Sequence, residues 1–264
     1  GKASGRLRTM KTIYLFDVDG TLTPAKSEIT PTFKKQFLEW SRGREVYIVS
    51  GGTFTRIINQ LTREVVDQMQ GVFSCMGNAF YLNMGNSPGG YSEWDLMYKN
   101  KFSVEKRELF FSELERYVMK SGYHTKTGNH YEERVGMVNF SIVGRNATME
   151  ERLAYAAYDA EHNEREEIVK KLSKKHPTLD FVIGGAVSID IYNKGNDKAQ
   201  VLKQFLSIKQ QDSRIVFVGD RTEFPGNDHS LALALSERPN SQTVGVESWE
   251  DTAVQLKTGS FAST

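Results

Sequence analysis

The sequence predicts an α/β protein, a doubly wound parallel sheet interrupted by an α+β insert. Three observations predict it. Short β-branched and aromatic runs at 12–16, 45–49 and 214–218 read as strands buried on both faces. Segments of helical periodicity follow them, as βαβ crossovers require. Between about residues 84 and 192 this alternation gives way to grouped strands and helices, which predicts an antiparallel sheet with helices of its own.

The first strand, Thr12 to Phe16, runs straight into Asp17-Val18-Asp19-Gly20-Thr21. Along extended backbone alternate residues point the same way, so Asp17 and Asp19 share one small site while Val18 packs away from it. Two carboxylates so close repel unless a cation or a shared proton intervenes. Asp and Gly are also ordinary turn residues, but a turn needs neither the Thr nor a second carboxylate. A helix is predicted over 31–42, with Thr30 as N-cap, Pro31 in the first turn and Phe33, Phe37, Leu38 and Trp40 inward. The second strand, 45–49, ends in Ser50-Gly51-Gly52-Thr53 before a helical segment through Met69. A hydroxyl and free backbone N–H groups at a helix N-terminus make a cradle for an anion.

In the insert, 83–90 reads as a Gly/Asn/Pro-rich turn region and 104–120 as an amphipathic helix. Residues 136–143 alternate like a half-exposed strand, 149–175 form one long charged helix, and 180–183 and 187–192 are strand-like. The core pattern resumes with a helix opened by Asp197-Lys198 and running through Leu206. The strand 214–218 then ends in Gly219-Asp220, with Asn227-Asp228 after a loop, and 243–246 and 249–256 supply a last strand and helix. The expected domains are therefore a split core, 10–83 with 193–264, and an insert, 84–192. Residues 1–9 read as a flexible leader or cloning remnant.

With 264 residues, 39% apolar and 25% charged, the chain has the composition of a soluble globular protein with a substantial core. A net charge of +1 provides no basic field, so nucleic acid is not an expected partner. No apolar run approaches a membrane span and no signal core is evident, so no membrane association is expected. The single cysteine, Cys75, excludes an intrachain disulfide framework, suits a reducing cytoplasm and reads as a small buried residue. The histidines form no ligand cluster and receive no metal role.

Strand ends thus bring Asp17, Asp19 and Asp220 to one edge of the sheet, where ligands bind in open α/β folds, with Asp228 close behind. An all-oxygen donor set suits Mg²⁺. Lys198 reads either as a solvated residue near a helix start or as a cation facing these carboxylates. Its position ahead of the Gly-Asp strand end favours the second reading.

With these pieces in place, the Asp-Val-Asp-Gly-Thr stretch resembles the nucleophile motif of the haloacid dehalogenase-like (HAD) phosphotransferases, and Ser50-Gly51-Gly52 resembles the motif that binds their transferring phosphoryl group. The resemblance implies a Rossmann-like core, with the insert as a cap over the active site. It further implies Asp17 as nucleophile, Asp19 as general acid/base and backbone-carbonyl metal ligand, Asp220 as metal ligand, and Lys198 against the phosphoryl oxygens. Residues 131–152 (YEERVGMVNFSIVGRNATMEER), 184–198 (GGAVSIDIYNKGNDK) and 219–228 (GDRTEFPGND) are similar to the eukaryotic-type α-phosphomannomutase family. That resemblance implies exchange of a phosphoryl group between the 1- and 6-positions of mannose through a hexose 1,6-bisphosphate, which also serves as activator. It implies a place in GDP-mannose biosynthesis, a homodimer formed through the cap, cap arginines Arg134, Arg145 and Arg152 on a substrate phosphate, and Ser188 and Asp190 on the sugar.

Read without the family, the three arginines converge on one dianion or pair with Glu132, Glu133, Glu150 and Glu151 as surface ion pairs. Lys26 stands where the family commonly has arginine, Arg221 where it has lysine, and Pro225 where it has glycine. A HAD sugar-phosphate phosphatase, with water as final acceptor, and a silent sugar-phosphate binding protein are the competing readings. The intact Asp17, Asp19, Lys198 and Asp220 set argues against the second of these.

Overall fold

The structure, a computed structural model, describes residues 11–207, 213–258 and 261; the leader lies outside them. The eleven strands described are β1 (Thr12–Phe16), β2 (Glu45–Val49), β3 (Gly71–Ser74), β4 (Ala79–Asn86), β5 (Ser92–Lys99), β6 (Tyr131–Arg134), β7 (Met137–Ser141), β8 (Leu179–Gly184), β9 (Ser188–Asn193), β10 (Arg214–Gly219) and β11 (Gln242–Gly245). The helices are α1 (Pro31–Ser41), α2 (Phe54–Val66), α3 (Arg107–Lys120), α4 (Met149–His162), α5 (Glu164–Lys175), α6 (Val201–Ser207), α7 (His229–Ser236) and α8 (Trp249–Thr258).

Seven strands form the core sheet in the order β11-β10-β1-β2-β3-β4-β5. The first five run parallel, and β4 and β5 are antiparallel at the edge. Alternation along the central strands fills both faces. Tyr14, Phe16, Val46, Ile48, Val216 and Val218 pack with Phe33, Phe37, Ile57 and Leu61 of α1 and α2 on one side. Ile13, Leu15, Tyr47, Val49, Ile215 and Phe217 pack with Val201, Phe205 and Leu231 of α6 and α7 on the other. These central side chains are almost fully buried, each contributing on the order of 1.5–3 kcal/mol. That anchorage places the two carboxylate-bearing strand ends, those of β1 and β10, on one rigid edge with the Ser50 end of β2.

A second sheet, β6-β7-β9-β8, is antiparallel throughout and has its own core with α3, α4 and α5, centred on Phe110, Leu114, Phe140, Tyr155 and Ile191. The predicted division at residues 83/84 is displaced. β4 and β5 belong to the core sheet, so the insert begins near residue 100. The hairpin was hidden because its polar positions, Asn83, Asn86, Glu93 and Asp95, break the continuous apolar run that marks a buried strand. The single helix expected over 149–175 is two, parted at Asn163, whose left-handed backbone (φ 53°) ends α4. Thr148 caps α4 reciprocally with Glu151.

Insert and core touch at several places. Cys75 and Met76 of the core pack with Met137 and Tyr192 of the insert, and the Ile183 N–H donates to the Pro225 carbonyl at 3.2 Å.

Candidate active site

The site begins where β1 ends. The Asp17 N–H still donates to the Val218 carbonyl (3.0 Å), which holds its side chain beside the end of β10. Gly20 (φ 74°) lets the loop fold back closely, since a Cβ there would lie 2.2 Å from Asp220 Oδ2. One edge thereby gathers Asp17, Asp220 and Asp228, each offering an oxygen within 4.8 Å of the others.

Lys198 lies in a 3₁₀ turn, Lys198–Gln200, capped by the Asp197 carboxylate, which accepts from the Ala199 N–H at 2.9 Å. Its ammonium is fully buried and donates to Asp17 Oδ1 (3.0 Å) and Asp228 Oδ1 (2.7 Å). Burial alone would drive it neutral. Its two carboxylate partners outweigh burial and hold it charged, well above the ordinary lysine range. Asp17 is pushed well up, by burial first and by Asp228 second, with Lys198 opposing. Burial and Asp228 likewise raise Asp220 to about 6.

Two buried carboxylates and a half-buried third against one ammonium leave uncompensated negative charge, and an all-oxygen donor set of this size fits a hard divalent cation such as Mg²⁺. The pH dependence of stability follows. An acid raised in the folded state keeps its proton where the unfolded chain, at about 3.9, has lost it. Without metal the protein should therefore lose stability as pH rises from about 4 to about 6, and stay lower above that. Melting with Mg²⁺ and with chelator should show a larger Mg²⁺-dependent rise in Tm at pH 7 than at pH 4.5. An equal rise at both would place the cation elsewhere.

The Asp19 side chain stands apart from this cluster. Its Oδ1 accepts from the Lys26 N–H (2.6 Å) and from Gln60 Nε2 (2.7 Å), while Oδ2 accepts no hydrogen bond among the described residues and the carboxylate lies in the field of Arg56 and Arg152. Gln60 lies in α2 just before its interruption at Thr62 (φ 73°), and its carbonyl accepts from the Ile29 N–H at 2.8 Å. Ser50 Oγ accepts from the Gly52 N–H (3.1 Å), which leaves its hydroxyl proton for a ligand.

The insert faces this edge across a cleft lined among others by Asp17, Asp19, Lys26, Arg56, Arg134 and Asp190. Ser188 and Asp190 share one face of β9. Asn139 on β7 ties them together, its Nδ2 donating to Asp190 Oδ1 (2.9 Å) and its Oδ1 accepting from Ser188 Oγ (3.3 Å). Gly184 is required beside them, since a Cβ there would lie 2.4 Å from Asp190 Oδ2.

Of the three predicted arginines, only Arg134 lines the cleft. Its Nη1 donates to the Gly51 carbonyl (2.6 Å) and its Nε to Glu132 (2.6 Å), with the side chain 4% exposed. Arg145 is engaged by Glu132 (3.0 Å) and by Asn139 Oδ1, and Arg152 Nε donates to the Ala147 carbonyl (3.4 Å). The ion-pair alternative is thus partly realised, through Glu132, though Arg134 is too buried for a surface pair. These arginines still crowd together. Burial and Arg134 push Arg145 to about 10, and burial followed by Arg152, Arg145, Arg56 and Arg134 pushes Lys26 down to about 7. Four arginines and Lys26, against the ion-paired Glu132 and the nearby Asp19, form a region with an excess of positive charge, built to receive an anion.

Arg56, Gln60, Asn139 and Asp228 take part without having been assigned a role above. Only Asp228 carried a signal, as the carboxylate following Gly219-Asp220; the others are ordinary helix and strand residues in sequence.

This build has solved counterparts. The fold matches that of Plasmodium falciparum IMP-nucleotidase (TM-score 0.61, 14% identity, 97% of this chain and 72% of that one). It also matches a haloacid dehalogenase-like hydrolase from Bacteroides thetaiotaomicron (TM-score 0.53, 14% identity, 94% and 99%). Likeness at that identity speaks for the fold alone, and the fold is that of the HAD proteins. Sequence narrows this to a family of enzymes. Residues 34–260 match the family model described as eukaryotic phosphomannomutase. Phosphomannomutases of Spinacia oleracea (34% identical, 92% of this chain and 93% of that protein) and Saccharomyces cerevisiae (32%, 92% and 91%) are among its relatives. The chain belongs to the eukaryotic phosphomannomutase family.

Proposed function

We propose that the protein is a phosphomannomutase, interconverting mannose 6-phosphate and mannose 1-phosphate. The observation that supports this best is the opposition of two charged sites across one cleft, the buried Asp17–Lys198 pair on the core and the arginine group around Arg134 on the insert. A mutase needs both. It must transfer one phosphoryl group while gripping a second, and must accept the sugar in either orientation.

In this reading Asp17 attacks phosphorus and carries the phosphoryl group as an aspartyl phosphate. Lys198, charged throughout, and the Ser50 hydroxyl with nearby backbone N–H groups receive the phosphoryl oxygens. Asp19 gives a proton to the leaving sugar oxygen through Oδ2. After the hexose 1,6-bisphosphate turns over in the cleft, the same group takes a proton from the attacking hydroxyl. Asp17, Asp220 and Asp228, with the Asp19 carbonyl, would hold Mg²⁺, which when bound screens the carboxylates from the incoming phosphate. Arg134, Arg145, Arg152 and Lys26 serve the second phosphate, and Ser188 and Asp190 the sugar hydroxyls. Hexose 1,6-bisphosphate primes Asp17 and so acts as activator. The insert serves as the cap, and through it we expect a homodimer. No described helix is long and apolar enough to cross a membrane, and the lone buried Cys75 fits a cytoplasmic setting.

Arg134 tests the reading against a simple phosphatase. Arg134→Ala should lower kcat/KM for the hexose phosphate by at least ~10²-fold, about 2–4 kcal/mol for a desolvated charge-assisted contact. Hydrolysis of 4-nitrophenyl phosphate, which is too short to reach the insert, should change far less. Equal losses on both substrates, or none on the sugar phosphate, would remove the mutase reading.

A further inference from the structure

Arg56 occupies the first turn of α2, directly after Ser50-Gly51-Gly52-Thr53, and so belongs to the core and not to the insert. It lines the cleft beside Lys26, Gly51 and Gly52 and across from Arg134. Its stem lies over Gly52, where a Cβ would come within 3.3 Å of Arg56 Cδ. A guanidinium has five N–H donors. The one ion pair Arg56 makes among the described residues is with Glu132, at 3.9 Å, beyond hydrogen-bonding reach. Glu132 is already occupied, at 2.6 Å by Arg134 and 3.0 Å by Arg145. Arg56 therefore presents to the cleft a planar fork that makes no hydrogen bond among the described residues, beside a buried arginine from the facing sheet and with Glu132 and Asp19 as the carboxylates that act on its charge.

We propose that Arg56 is a substrate-gripping and specificity-determining residue, taking the hexose phosphate group that is not being transferred from the core side while Arg134 takes it from the insert. One dianion then bridges the two parts of the molecule, and a sugar without a second phosphate forfeits the bridge. Lys26 also contributes charge from the core, but as a single ammonium it lacks the bidentate geometry that a phosphate face accepts from a guanidinium. Discrimination at this point resides in Arg56.

The inference rests on the mutase reading, and the experiment separates the two. Wild type, Arg56→Gln and Arg56→Lys are compared in hexose phosphate interconversion, in hydrolysis of hexose 1,6-bisphosphate and in hydrolysis of 4-nitrophenyl phosphate. Arg56 makes no close bond, so neither substitution should disturb folding, which melting curves check. Arg56→Gln should raise KM for the two hexose phosphates at least ~10-fold, with kcat changing less, and leave the aryl phosphate within about 2-fold; Arg56→Lys should recover part of the loss. A wild type that only hydrolyses the bisphosphate would end the mutase reading, while the bisphosphate-to-aryl comparison would still measure Arg56. Equal losses on bisphosphate and aryl phosphate would put Arg56 at the transferring phosphoryl group and overturn the inference. So would an Arg56→Gln variant with wild-type KM for both hexose phosphates.

Discussion

Asp17→Asn should abolish phosphoryl transfer while leaving the molecule folded. An amide is a far poorer nucleophile than a carboxylate, and loss of the attacking group in comparable covalent mechanisms costs on the order of 10⁴–10⁶ in kcat. The fold should tolerate the change because Asn has the same shape and Lys198 keeps Asp228 as a partner at 2.7 Å. Asp17 is also itself held under strain, its carboxyl pushed up by burial and by Asp228. Removing one of three crowded carboxylates should leave Tm unchanged or raise it. Incubation with ³²P-labelled hexose bisphosphate, followed by denaturation, should label wild type and not the variant. Wild-type turnover in Asp17→Asn would remove the covalent mechanism.

Lys198→Met carries the second large effect, on stability as well as activity. The ammonium is fully buried and is the common partner of Asp17 and Asp228. Methionine fills the volume but leaves two carboxylates without their counter-charge. Breaking a buried pair by removing one member costs about 3–5 kcal/mol. In a domain of this size that is a fall in Tm on the order of 10 °C. The folded protein holds Lys198 above its unfolded pKa, so its contribution is present at all pH values below the unfolded lysine range and is lost only in strong alkali. The deficit should therefore be full at pH 7. Acidification through about 6 removes the deficit from the other side, because Asp220 takes up a proton there and Asp17, also held above the ordinary carboxylate range by burial and Asp228, loses charge with it, so less negative charge is left unbalanced. A variant as stable as wild type at pH 7 would mean that the ion pair is absent in solution.

The parts of this site readable in advance are those whose chemistry is local to the chain. Asp17 and Asp19 follow a buried strand, and Ser50-Gly51-Gly52 and Gly219-Asp220 stand at the ends of two more. The loop after Phe16 nevertheless turns the Asp19 side chain away from the Asp17 cluster towards Gln60, which strand alternation does not foretell. Residues set by tertiary geometry were not readable. Arg56 looks like any helix-surface arginine until the insert brings Glu132 and Arg134 across from it. Gln60 meets Asp19 across 41 residues of chain, a contact that α2 alone does not announce. Asn139 matters because β7 pairs it with Asp190 on β9, a register no single strand reveals. The same limit explains the domain boundary. A half-exposed antiparallel hairpin such as β4–β5 has one amphipathic pattern whether it closes the core sheet or opens an insert, and only pairing with β3 decides.

The central claim is that one cleft transfers a phosphoryl group between two ends of the same sugar. Purified protein with Mg²⁺, a trace of hexose 1,6-bisphosphate and mannose 1-phosphate, followed by ³¹P NMR, tests it most directly. Growth of the mannose 6-phosphate signal to an equilibrium ratio, with inorganic phosphate remaining at the trace level, is the expected result; accumulation of inorganic phosphate as the sole product would contradict it.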